Sequence, residues 1–152
     1  MLLTAHAAVG AAIGASTENL PLIIILAFLS HFVLDILPHS DWGMWHDYEK
    51  DFKLKLKDYI LVFCDILMVL IMSLYLWNNL GNNYIMIGIF AAILVDLVDN
   101  VPYIKDILRK LPLFSQIHRV HRKLHFQLSI NHWIFGSLLQ IIVVLICLGY
   151  LL

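Results

Sequence analysis

The chain has 152 residues, 61% of them hydrophobic and 14% charged, with a formal net charge of −1. Soluble domains carry roughly a quarter charged residues, so this composition excludes an ordinary water-soluble protein and makes a bilayer the natural solvent. The two cysteines, Cys64 and Cys147, lie in separate apolar stretches and give neither a disulfide framework nor a CxxC metal site.

Residues 2–16, LLTAHAAVGAAIGAS, read as a short helix that packs through its Gly and Ala faces. The first basic residue is Lys50; this segment lacks the basic start of a signal peptide and is expected to remain in the mature protein. Four later windows, near 20–39, 59–77, 84–102 and 131–152, each supply the ~20 mostly apolar residues that a spanning helix needs. The expected fold is therefore all-α: a single transmembrane domain over residues 1–152, built as a bundle of about five helices, one short N-terminal helix plus four spans.

Basic residues are unevenly placed. Loop 40–58 holds Lys50, Lys53, Lys55 and Lys57, segment 103–130 holds Lys105, Arg109, Lys110, Arg119, Arg122 and Lys123, and NNLGNN at 78–83 holds none. With five crossings, the positive-inside rule puts both basic segments in the cytoplasm. The expectation is a multi-pass protein of the inner (plasma) membrane, N-terminus cytoplasmic and C-terminus outside, with 103–130 a basic, His-rich cytoplasmic segment leading into the last helix. Trp42, Trp45 and Trp133 read as interfacial belt residues.

Given this orientation, every intramembrane acid and histidine falls toward the cytoplasmic side. His31, Asp35 and His39 recur every four residues in SHFVLDILPHSDW, so they share one helix face. Histidine and carboxylate at that spacing suit zinc or another divalent first-row metal. His6 lies about one turn into the first helix. Asp96 and Asp99, three apart, also share a face and read either as metal ligands or general base, or as helix-to-helix hydrogen-bonding groups. An ionised carboxylate at that depth is costly without a partner. Asp65 reads as a residue that orients a histidine. In QIHRVHRKLHFQLSINHW, one continuous helix from about residue 115 gathers His118, His121, His125 and His132 within an arc of about 60°. Arg119 and Arg122 interleave with these histidines, where a guanidinium can grip a phosphate bidentately; the other reading of the basic residues is the topology signal and attraction to anionic headgroups.

Thr4, His6 and Gly10, the SHFVLDILPHSD block and the late His-rich stretch together resemble a family of small bacterial and archaeal inner-membrane proteins classed as membrane-bound metal-dependent hydrolases. Members often carry Pro-Asp-x-Asp after the second helix and Arg-x-x-Thr-His-Ser late in the chain; LPHSD and HRKLHFQLSINHW stand there instead, which makes the resemblance one to a divergent branch. It implies a metal centre and hydrolysis. The Ser-Arg-x-x-x-x-x-His lipid phosphatase pattern, GxSxG and HExxH are absent.

The expected metal ligands are His6, His31, Asp35, Asp96, His125 and His132, with His39, Asp99 and His121 as further candidates, holding one or two divalent cations, zinc first. The expected reaction is hydrolysis of a phosphoester or ester of a membrane lipid at the cytoplasmic leaflet, with Asp35 or Asp99 as base and Arg119 or Arg122 on the headgroup phosphate. The expected partners are a lipid substrate and the bilayer, and no nucleic acid. The alternatives are a divalent metal or proton transporter, which ionisable residues in the outer helix halves would have favoured, and a non-enzymatic protein with a structural metal.

Overall fold

A computed structural model describes residues 1–41, 55–101 and 104–152, and all named secondary structure within them is helical. In chain order the helices are α1 (Leu3–Ser16), α2 (Leu20–Ile36), α3 (Leu56–Leu80), α4 (Asn83–Asn100), α5 (Ile104–Leu108), α6 (Pro112–Leu124) and α7 (Trp133–Leu151), with a 3₁₀ turn at Ile130–His132 before α7. The count exceeds the expected five because segment 103–130 carries two short helices of its own. Trp42, Trp45, Lys50, Lys53 and Pro102 lie outside the described residues.

Local chemistry sets the ends. The Asn19 side chain accepts from Leu22 N–H at 3.1 Å and Pro21 sits in the first turn of α2, where its missing donor costs nothing. Pro38 forces its predecessor out of the helical region, so Leu37 is extended (φ −68, ψ 142) and α2 stops at Ile36. Gly81, at φ 58, closes α3, a left-handed cap that glycine adopts without strain.

α3, α4 and α7 are long and apolar enough to cross a membrane; α1 and α2, with 14 and 17 residues, are shorter apolar helices. α1 is central, packing on α2, α3, α4 and α7 and most extensively on α4. Gly10 and Gly14 bring its backbone against Gly88, Tyr84 and Ile85 of α4, where a methyl on Gly10 or Gly88 would run into the other's carbonyl. This close small-residue contact is how helices associate when burial from water gives no drive. α3 and α7 instead present long rows of exposed Leu, Ile, Phe and Val, as lipid-facing helices do.

A carboxylate and an amide, each from an apolar helix, fix the start of α1. Asp65 of α3 accepts from Leu3 N–H (2.6 Å), Thr4 N–H (3.0 Å) and the Thr4 hydroxyl (2.5 Å). Gln140 of α7 accepts from Leu2 N–H at 2.7 Å and donates to Ser40 O at 2.8 Å. The free N–H groups of a helix start have no water to turn to inside a bilayer, and these side chains satisfy them. Asp65 thus caps α1 rather than meeting a histidine.

Candidate metal centre

His6 at the start of α1, His31 and Asp35 in the second half of α2 and Asp96 and Asp99 in the last turns of α4 meet at one end of the bundle. α6 lies across that end and adds His121. The His6 and His31 rings stack at 4.0 Å between centroids, and His6, His31 and Asp35 are fully buried.

The histidines are oriented from behind. His31 Nδ1–H donates to Ala92 O (2.9 Å), His39 Nδ1–H to Leu37 O (2.8 Å) and His121 Nδ1–H to Asp99 Oδ2 (2.8 Å). With Nδ1 engaged, each ring turns Nε2 toward Asp35 or its neighbours, the arrangement by which proteins fix the tautomer of metal-binding histidines. His31 Nε2 lies 3.2 Å from Asp35 Oδ2 and 3.4 Å from His121 Nε2; His121 Nε2 is 2.9 Å from Asp35 Oδ2. Asp96 Oδ1 stands 3.9 Å from His31 Nε2 and 4.0 Å from His121 Nε2, and its Oδ2 is 3.9 Å from His6 Nε2. His6 Nε2 is 3.3 Å from Asp35 Oδ1.

These residues fit a divalent cation. Both ring nitrogens of His6 and Asp96 Oδ2 are buried without a hydrogen-bond partner, which is costly unless another ligand engages them. A tetrahedral ion at ~2.1 Å from nitrogen or oxygen spaces its ligands about 3.4 Å apart, close to the separations observed. Three groups have ligand atoms that all lie within 4.8 Å of one another: His6, His31 and Asp96; His31, Asp35 and His121; Asp35, His39 and His125.

His125 arrives by a different device. α6 ends at Leu124, and the chain then runs alongside the end of α2, with Phe126 N–H donating to Asp35 O and Leu128 N–H to His39 O, both at 2.8 Å. The Gln127 amide also reaches the Asp41 carboxylate. Asp35 lies in the last turn of α2 and His39 just beyond its end, and this pairing sets His125 Nε2 at 3.3 Å from His39 Nε2. The expected continuous helix from residue 115 is therefore interrupted. His132, at the start of α7, is exposed and joins none of the three groups.

Asp99 stands behind His121. It accepts from His118 Nδ1–H (2.7 Å) and from Arg109 Nη2–H (3.1 Å) as well as from His121. Burial works against charge on His121, but its hydrogen bonds to Asp35 and Asp99 prevail and raise its pKa to about 9. Burial, with the Met1 ammonium beside it, lowers the pKa of His125 to about 2. Arg119 and Arg122 lie on the exposed face of α6.

Arg109, Asp65 and Gln140 were not singled out for these roles by the sequence. Gln140 had a signal: it is the one strongly polar side chain in the apolar run of α7.

No known family, no curated protein and no solved structure matches the chain. The geometry alone carries the functional reading.

Proposed function

We propose that the chain is a membrane-embedded, metal-dependent hydrolase whose divalent cation, zinc by ligand chemistry, is held by ligands drawn from His6, His31, Asp35, Asp96 and His121. The observation that carries it is the convergence of Nε2 atoms on Asp35 with each oriented Nδ1 already engaged. A cation bound there supplies a Lewis acid and a water whose pKa falls toward ~7. Asp99 holds the His121 ring and, through His118, links it to the half-exposed edge of α6. Asp96, the least buried of the five, stands where a proton from a water can be taken.

The substrate we propose is a phosphoester or ester of a membrane lipid. The centre lies at the bundle end that also carries Lys55, Lys57, Arg109 and α6, and basic residues mark the cytoplasmic side, which supports an active site at the cytoplasmic leaflet with the N-terminus inside. The test is product release from vesicles of defined phospholipid classes by zinc-loaded protein. The reading expects release from at least one class with wild type and none with His31→Gln. Zinc-loaded wild type that releases nothing from any class removes it. Complete burial of His6, His31 and Asp35 favours a second reading, a structural metal in a closed shell; that reading predicts a bound ion with no water ligand.

A further inference from the structure

We infer that Asp35, His39 and His125 form a second cation position, with Asp35 bridging it to the first. The inference rests on the metal-centre reading above. Asp35 spreads its oxygens: Oδ2 faces His31 and His121 at 3.2 and 2.9 Å, whereas Oδ1 faces the Met1 amino group at 2.9 Å and His6 Nε2 at 3.3 Å. That ammonium lies 2.9 Å from His39 Nε2 and 3.5 Å from His125 Nε2. The Met1 nitrogen thus lies among three groups able to bind a cation.

The position is built. His39 Nδ1–H is committed to Leu37 O, so its Nε2 carries the lone pair. The pairing of Phe126 and Leu128 with α2 fixes His125 opposite, and the two Nε2 atoms are 3.3 Å apart, near the ~3.4 Å edge of a tetrahedral site. Together with Asp35 their ligand atoms all lie within 4.8 Å of one another. Nitrogen and carboxylate ligands select a first-row divalent ion, and a carboxylate with one oxygen on each of two ions sets them about 3.5–4 Å apart. Such a pair clamps both the attacking and the leaving oxygen of a displacement at phosphorus. The Met1 amino group must move aside when the ion binds.

The experiment loads detergent-purified full chain with Mn²⁺ and reads both bound metal by elemental analysis and spin coupling by electron paramagnetic resonance. Wild type is expected to hold two equivalents with a coupled spectrum. His39→Gln and His125→Gln, each replacing imidazole by a side chain of similar size, are expected to hold one equivalent with an uncoupled spectrum. Two variants on separate segments protect the test against one failing to fold. One uncoupled equivalent in wild type, retained in both variants and lost in His31→Gln, overturns the second position and leaves the proposed function standing. Two equivalents that neither variant reduces also overturn it. Folded wild type that binds no metal overturns both readings.

Discussion

Replacing Asp99 by asparagine keeps shape and volume but removes charge and one acceptor. In the native chain its two oxygens take His118 Nδ1–H at 2.7 Å, His121 Nδ1–H at 2.8 Å and Arg109 Nη2–H at 3.1 Å. An amide has one acceptor oxygen; its NH₂ must face a donor, either His118 with Arg109 or His121. Either arrangement loosens the ring that presents Nε2 to the cation. Losing such a supporting partner costs about 10–100-fold in metal affinity, which is about 1.4–2.7 kcal/mol. The assay is competition for Zn²⁺ against a chromophoric chelator, run on wild type, Asp99→Asn and His31→Gln in the same detergent. Asp99→Asn is expected between the other two. An affinity equal to wild type refutes the supporting role, and one as low as that of His31→Gln refutes the placement of Asp99 behind the ligands.

Gly88→Ala is expected to destabilise the bundle by about 1–3 kcal/mol, the cost of overpacking, because the methyl meets the Gly10 carbonyl; Gly149→Ala, with nothing within 4 Å, is the clash-free control in the same detergent-unfolding series, expected to gain up to about 1 kcal/mol from helix propensity. Asp65→Ala removes the acceptor of three hydrogen bonds at the start of α1 and is expected to cost about 0.5–2 kcal/mol, the range for a lost helix cap, measured in that series. The pKa of His121, raised from 6.5 to about 9, gives metal-free protein a stabilising contribution that is complete below pH 6.5 and lost as pH rises through 9. Binding a metal must expel that proton, so metal affinity rises across the same interval, by up to about tenfold per unit. Melting temperature without metal should fall from pH 6.5 to 9 while zinc affinity climbs, and His121→Gln should flatten both trends.

Much of the site was legible because helical spacing alone aligns its parts. His31 and Asp35 share a face of α2, and the small residues around His6 announced a buried, closely packed helix. What the sequence hid depends on contacts between segments. Nothing in HFQLSINH marks the end of α6; the chain leaves the helix because carbonyls at Asp35 and His39 offer its N–H groups partners, and that takes His132 out of line. Asp65 reads as one acid among apolar neighbours until the start of α1 is seen against it. Arg119 shows the opposite case: the 100° step that aligns the histidines turns it well away from the middle of their stripe, so its exposure was already implied by the periodicity.

The ligands are unevenly distributed along the chain. His6, His31, Asp35, His39 and Asp96 all lie within the first 100 residues, while His121 lies in α6 and His125 just after it, beyond the short helix α5. The first four helices alone therefore bring together one group of three, His6, His31 and Asp96, while the groups with His121 and His125 need the chain beyond them. His121 and His125 join the others only where α6 lies across the end of the bundle and the stretch after it pairs with the end of α2. On the proposed reading, a cation bound among the fully buried His6, His31 and Asp35 would exchange with solvent only as α6 and that stretch lift away.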